Sequence, residues 1–372
     1  MSETNCGGAP IKGLQARAYL IPTDGPEADG TLAWDATTLV AVDIDAGGQT
    51  GFGYTYADAS VVPLIAGPLK KAIEGRDSFD IPGCWTAMQR TVRNLGRSGL
   101  AACAISAVDA GLWDMKARGL GLSLAMLLGR CREQVPIYGS GGFTNYSEKQ
   151  LREQLAGWVD RDGCRFVKIK IGSDPKRDAE RISEAKAAIG TCELFVDANG
   201  AFSVKQALQV VDARHAEVCW FEEPVTSDDL PGLRLMRQRA PEQMDIAAGE
   251  YIYTLDDARR MLEADAVDVL QADATRCGGI TGFIQIGALC EAHHTDLSAH
   301  CAPALHCHVA CAVPRLRHIE WFHDHVRIEH MLFEGAPQPC GGTIAPDLTS
   351  PGHGLLFKRQ DAERFSVHGG VS

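Results

Sequence analysis

The strongest constraint in this 372-residue chain is a series of eight short apolar runs in its middle and C-terminal parts. They are Val135–Tyr138, Phe166–Ile171, Leu194–Val196, Val218–Phe221, Asp245–Ala248, Val267–Gln271, Asp296–Ala299 and Arg317–Trp321. They recur at roughly 20 to 33 residues, the length of one strand–helix unit, and helix-like sequence follows all but the last. Eight strands alternating with helices predict a closed α/β barrel. A doubly wound open sheet is the alternative, but it needs a Gly-rich phosphate turn after its first strand. The turn here, Gly139-Ser140-Gly141-Gly142-Phe143, does not fit G-x-G-x-x-G. No clear helix is predicted after the eighth run, where a tail rich in proline and glycine leads to the C-terminus.

The first third reads differently. β-like runs Leu14–Ile21 and Thr37–Ile44 are separated by a Gly/Pro/Asp-rich loop through about Gly30. The second run turns at Ala46-Gly47-Gly48 and continues through Thr50 to Tyr56, which predicts a small antiparallel meander. From Val61 to about Gly129 apolar residues recur at helical spacing, with Ala101, Ile105, Val108, Leu112 and Met115 forming one stripe.

Composition excludes several classes. Lys+Arg number 36 against 48 Asp+Glu, a formal net charge of −12, which argues against nucleic acid or an anionic membrane as partner. No stretch approaches the roughly 18 apolar residues of a membrane span. The start is polar and the 13 cysteines include no Cys-x-x-Cys pair, so reduced thiols and a cytoplasmic location are expected.

In a barrel the chemistry belongs at the C-terminal ends of the strands. Run two alternates Val167, Ile169 and Ile171 with Lys168 and Lys170, so both lysines should point into the barrel mouth. Two ammonium groups so close would depress each other's pKa and need anionic company. Runs three, four and five supply it, ending Asp197, Glu222-Glu223-Pro224 and Gly249-Glu250. Three converging carboxylates repel one another unless a hard divalent cation, Mg²⁺ first, resolves the conflict. Run six ends at Asp273, run seven at His300 and run eight at Glu320. On adjacent strands Asp273 can orient the His300 imidazole and raise its basicity.

As an ordered set, Lys168-Ile169-Lys170, Asp197, Glu222, Glu250, the Asp273…His300 pair and Glu320 resemble the enolase superfamily, and within it the mandelate racemase subgroup. The resemblance spans nearly the whole chain. It implies an α+β capping domain over residues 1–130, a modified (β/α)7β TIM barrel over 131–335, and a C-terminal segment, 336–372, that returns to the cap. It also implies that Asp197, Glu222 and Glu250 bind Mg²⁺, with Glu222 rather than Glu223 as ligand. Having Asp273 on the sixth strand, where the lactonising and dipeptide-epimerising subgroups carry a lysine, places the chain with mandelate racemase.

The chemistry so implied is removal of the α-proton of a hydroxy-carboxylate to a metal-stabilised enediolate. Lys168 is expected to neutralise the substrate carboxylate and to lower the pKa of Lys170, the base on one face. His300 serves the other face, and Glu320, if its surroundings keep it protonated, donates a hydrogen bond to the enediolate. Dehydration of an acid sugar to a 2-keto acid is the favoured outcome, with racemisation or epimerisation of a 2-hydroxy acid as the alternative. The partners expected are a small-molecule carboxylate and further copies of the chain in a homo-oligomer. The cap loop Pro22–Trp34 offers Thr23, Asp24, Glu27 and Asp29 but no Arg or His, which disfavours a dicarboxylic substrate. Two rivals remain: a zinc hydrolase built on the C-terminal histidines, among them His306 and His308, and a non-catalytic carboxylate-binding barrel. Cys301 and Cys307 beside the site are read as small buried thiols.

Overall fold

The computed structural model describes residues 8–214 and 216–367; the polar start, Cys6 included, lies outside them. Three antiparallel strands open the chain: β1 (Ile11–Ala28), β2 (Ala33–Ala46) and β3 (Gln49–Tyr56). The helix Leu100–Leu120 lies against β3, and its predicted stripe is buried, with Ile105, Val108 and Leu112 at zero exposure. Glycine makes this approach possible, since a Cβ on Gly53 would stand 2.1 Å from the Ala107 carbonyl oxygen.

Eight parallel strands follow: β4 (Val135–Gly141), β5 (Phe166–Lys170), β6 (Glu193–Asp197), β7 (Val218–Glu222), β8 (Asp245–Ala248), β9 (Val269–Ala272), β10 (Asp296–Ala299) and β11 (Leu316–Phe322). Each pairs with its neighbour, and β11 pairs with β4 through Ile319–Ile137 to close the barrel. This is the closed barrel that the run spacing predicts, with the N-terminal cap that the family resemblance implies. The outward residues Val167, Ile169, Leu194, Val196 and Phe221 join the main core, whereas Phe195 and Trp220 face inward with Tyr138.

Two sequence expectations need correction. The Gly/Pro/Asp-rich stretch after Ile21 is not a loop, because β1 runs on to Ala28 through a register shift between Pro22 and Glu27. The extension is held by polar and aromatic contacts that apolar alternation does not register: Trp34 Nε1 donates to Glu27 Oε2 at 2.7 Å, and Trp34 meets Phe143 edge-on. A helix, His323–Leu332, also follows β11. Its buried side chains are Asp324, His325, Ile328, Glu329 and Leu332, so only Ile328 and Leu332 mark the inner face as apolar, too short a stripe to stand out in the sequence. That face fastens cap to barrel: the Tyr54 hydroxyl donates to Glu329 Oε1 at 2.8 Å, and His325 stacks on Tyr56 at 3.5 Å.

The tail returns to the cap. β12 (Phe333–Glu334), β13 (Thr343–Ile344) and β14 (Leu356–Phe357) are short; β14 pairs with β12, and Phe357 stacks on Phe52 at 5.4 Å. Val367 N donates to the Ala18 carbonyl at 2.9 Å. Among the described residues no helix is long and apolar enough to cross a membrane, and the described cysteines are free.

Candidate active site

Seven consecutive barrel strands deliver charged groups to one rim. Alternation on β5 turns Lys168 and Lys170 inward, and both are buried. Asp197 and Glu222 are the last residues of β6 and β7 and pair in register. Glu250 follows β8 after Gly249, whose φ of 135° and 2.2 Å Cβ approach to the Gln271 carbonyl oxygen admit only glycine. Asp273, His300 and Glu320 come from the ends of β9, β10 and β11.

Three carboxylates converge. Ligand oxygens of Asp197, Glu222 and Glu250 lie within 4.8 Å of one another, all buried. Glu223, with a φ of 38°, is not in this group, and its Oε1 has no hydrogen-bond partner. Asp197 Oδ1 accepts from Asn199 N at 2.8 Å, and Glu222 Oε2 accepts from Trp220 Nε1 at 3.1 Å, so both carboxylates are oriented. Burial and the charge of Asp197 push Glu222 up to about 8. A crowded, buried, all-oxygen donor set of this kind fits a hard divalent cation.

The lysines meet the same charges from the other side. Lys168 Nζ lies 2.5 Å from Glu222 Oε1, 2.8 Å from Glu320 Oε1 and 3.5 Å from Asp197 Oδ2. Lys170 Nζ lies 2.6 Å from Asp197 Oδ2. Burial alone would lower both lysines, but these carboxylates outweigh it and hold both above the usual lysine range. The repulsion from Lys168 acts on Lys170 in the lowering direction, and Asp197, Glu250 and Glu222 act against it.

The opposite wall carries the imidazole. His300 Nδ1 lies 2.9 Å from Asp273 Oδ2, and Asp273 Oδ1 accepts from the Thr275 amide and hydroxyl, each at 2.7 Å. Burial opposes ionisation of Asp273, but the bond to His300 and its charge hold the carboxyl well below its usual range. Asp273 is therefore an acceptor, which places a proton on Nδ1 and turns Nε2 to the site. Nε2 lies 3.2 Å from Glu250 Oε2, 3.3 Å from Cys301 Sγ and 3.7 Å from Glu320 Oε2.

At Glu320 the charges of Lys168, His300 and Lys170 oppose its burial and lower its pKa. Its oxygens take Ser140 Oγ at 2.5 Å and Cys301 N at 3.1 Å. The structure thus brings together all eight residues singled out in the sequence. It adds Ser140 and Trp220 as their immediate partners and sets Cys301, next to His300 in sequence, against Glu320. Trp220 stands two residues before Glu222 on the same strand face, a signal present in the sequence; Ser140 and Cys301 touch partners that only barrel closure and turn geometry bring near.

The histidine cluster resolves into structure. His306 Nε2 accepts from Ala274 N at 2.9 Å and His308 Nδ1 from Ala125 N at 3.3 Å, so the pair is spent on separate backbone amides. Basic groups also reach the cap hairpin that lacks them in sequence: His323 Nε2 lies 3.0 Å from Asp24 Oδ2, and Arg327 donates to the Pro22 carbonyl at 2.8 Å. They come from the helix after β11, so the hairpin's own sequence is no argument against a dicarboxylic substrate.

Comparison with known proteins gives consistent matches. Residues 150–362 match the family described as enolase C-terminal domain-like, and residues 26–129 match the mandelate racemase / muconate lactonizing enzyme N-terminal domain. The chain is 32% identical over 367 residues to the 3,6-anhydro-alpha-L-galactonate cycloisomerase of Streptomyces coelicolor, covering 96% of this chain and 99% of that protein. A crystal structure of a mandelate racemase/muconate lactonizing enzyme-like protein from Rubrobacter xylanophilus superposes with a TM-score of 0.94 at 48% identity, covering 96% and 100% of the two chains. The L-talarate/galactarate dehydratase of Salmonella typhimurium, crystallised with Mg and L-lyxarohydroxamate, superposes at 0.89 with 26% identity, covering 99% and 95%.

Proposed function

The chain belongs to the mandelate racemase and muconate lactonizing enzyme family of the enolase superfamily, and from that premise we propose that it abstracts the α-proton of a hydroxy-carboxylate and eliminates the β-substituent, as an acid-sugar dehydratase does. One observation carries the reading: Lys170 and His300 enter the rim from β5 and β10, on either side of the Asp197–Glu222–Glu250 group.

Asp197, Glu222 and Glu250 would hold Mg²⁺, which when bound supplies Lewis-acid compensation for charge developing on the substrate carboxylate. The remaining work falls to side chains. With Asp197 engaged as a ligand, Lys170 would lose its 2.6 Å partner while Lys168 stays beside it, and that like charge would favour a neutral amine at Nζ. Lys170 Nζ takes the α-proton. Lys168 Nζ, between Glu222 and Glu320, pairs with the substrate carboxylate. His300, its Nδ1 proton fixed by Asp273, delivers a proton from Nε2 to the leaving β-oxygen. Loss of that oxygen as water leaves an enol that becomes the 2-keto acid.

A second reading keeps the same first step. In a cycloisomerase the β-oxygen belongs to a ring ether, so it leaves without departing; the likeness to a cycloisomerase over 96% of the chain favours keeping it in view. Return of the proton from His300 to the α-carbon instead gives racemisation or epimerisation.

Screening acid sugars, their anhydro and lactone forms and simple 2-hydroxy acids by NMR in D2O separates these outcomes. A 2-keto product with loss of water supports dehydration, an isomeric product of equal mass supports cycloisomerisation, and α-deuterium in recovered substrate supports racemisation. EDTA should abolish turnover and Mg²⁺ restore it; restoration by Zn²⁺ alone, or inertness towards the whole set, overturns the reading.

A further inference from the structure

A second set of donors converges at the imidazole wall. Cys301 Sγ lies 3.3 Å from His300 Nε2 and 3.4 Å from Glu320 Oε2, and those two atoms are 3.7 Å apart. All three residues are buried. A tetrahedral zinc with Zn–S of about 2.3 Å and Zn–N and Zn–O of about 2.0–2.2 Å sets its ligand atoms about 3.4–3.6 Å apart. The three observed edges bracket that value, so the triangle accepts an ion with shifts of a few tenths of an ångström.

Two features prepare this triangle for a metal. Cys301 and Ala302 both occupy the left-handed region, at φ of 52° and 41°, which is uncommon for residues other than glycine. That turn points Sγ back into the barrel mouth and brings the Cys301 amide onto Glu320. Asp273 holds the far nitrogen of His300, and a carboxylate on Nδ1 makes Nε2 a better metal ligand, the carboxylate–histidine–zinc arrangement. The donor set of thiolate, imidazole and one carboxylate is borderline to soft, unlike the all-oxygen set that suits Mg²⁺.

We propose that His300, Cys301 and Glu320 form a binding site for a thiophilic divalent cation, Zn²⁺ or Cd²⁺, separate in chemistry from the three-carboxylate site and inhibitory when filled. Binding forms bonds to Sγ, Nε2 and one Glu320 oxygen, and the thiol proton leaves to solvent. The fourth tetrahedral position takes water. Ligation consumes the Nε2 lone pair, so His300 can no longer carry a proton to or from substrate. Low zinc would then switch off an enzyme whose Mg²⁺ remains in place. The inhibition rests on the proton-transfer role proposed for His300, whereas the site itself does not.

The test uses the full chain with Cys131 and Cys340, the exposed thiols among the described residues, and also Cys6 replaced by serine. Titrating Cd²⁺ in saturating Mg²⁺ should raise the ultraviolet thiolate-to-cadmium charge-transfer band to the amplitude of one thiolate, and Cys301→Ser should remove it. Zn²⁺ should suppress Mg²⁺-supported turnover reversibly, with at least about tenfold weaker inhibition in Cys301→Ser. A missing band, or one that survives in both Cys301→Ser and Cys301→Ala, overturns the site. A band without inhibition upholds the site and overturns the role given to His300. Should the Cys301 variants not fold, a zinc-soaked crystal decides: an anomalous peak must lie among the three side chains, and a peak only among Asp197, Glu222 and Glu250 refutes the proposal.

Discussion

The inward face of the barrel changes character within two residues. On β5, β6, β7 and β11 the lower positions are Phe166, Phe195, Trp220 and His318, and the upper ones are Lys168, Asp197, Glu222 and Glu320. At about 3.3 Å of rise per residue, roughly 7 Å separates an aromatic floor from a charged rim. In the floor, partners are interchangeable surfaces: Phe195 stacks on Trp220 at 5.0 Å and 15°, and Tyr138, Phe166 and His318 surround them. In the rim every group has a named counter-charge, and removing one leaves another uncompensated. The floor therefore governs whether the barrel forms, and the rim governs what it does. The floor also keeps water from the rim's underside, which is why desolvation acts so strongly on each rim group.

The rim side of this contrast is tested most severely by removing the two bases. Lys170→Ala and His300→Asn should each lower kcat by about 10²–10⁴-fold on a confirmed substrate, the range for loss of a positioned acid or base. Thermal unfolding should move little by comparison. Full turnover in either variant breaks the assignment of chemistry to the rim. The floor should answer in the opposite way: Phe195→Ala opens a cavity beside Trp220 and should cost about 3–5 kcal/mol in urea unfolding. Loss of activity without loss of stability in that variant would erase the distinction between the two layers.

This layering also explains what could be read in advance. Strand positions were legible because outward residues such as Val167, Ile169, Val196 and Phe221 are uniformly apolar. The rim was legible because barrel geometry fixes where each strand ends, so an acid or base at that place stands out. The ionisation states were not. They depend on which charges face which across the mouth, as Asp197 faces Lys170 and Lys168 faces Glu320. The helix His323–Leu332 was not legible either, because Asp324, His325 and Glu329 share its buried face with only Ile328 and Leu332.

That helix offers a smaller test, placed where cap meets barrel. Burial pushes Glu329 up to about 8, against the opposing bonds from Tyr54 and from Ala304 N at 3.0 Å. An acid whose folded pKa lies above its unfolded value of about 4.3 binds more protons in the folded state between those values. Its stabilisation is complete below pH 4 and is lost as pH rises through about 8. Glu329→Gln keeps the shape, since the amide oxygen can accept from Ala304 N while its NH2 donates to the Tyr54 oxygen. The fall in Tm from pH 5 to pH 8 should be shallower in Glu329→Gln than in the wild type. An equal fall in both shows that Glu329 is already ionised in the folded protein.

The smallest effect is expected at Ser140, where the two layers and the barrel seam meet. Ser140 lies on β4, directly across from β11, and its hydroxyl donates to Glu320 Oε1 at 2.5 Å. The same oxygen is 2.8 Å from Lys168, and the other oxygen is held by Cys301 N. Ser140→Ala therefore removes one of several supports without leaving a buried charge unpaired, and it should cost about 1 kcal/mol of stability. If Glu320 acts only as an ion-pair partner of Lys168, kcat should change less than about tenfold, an effect of about 1.4 kcal/mol on the barrier. A larger drop in kcat with unchanged stability would mean that the orientation of Glu320, and not merely its charge, is used in the reaction. The seam between the first and last strands would then belong to the catalytic rim as fully as the three carboxylates do.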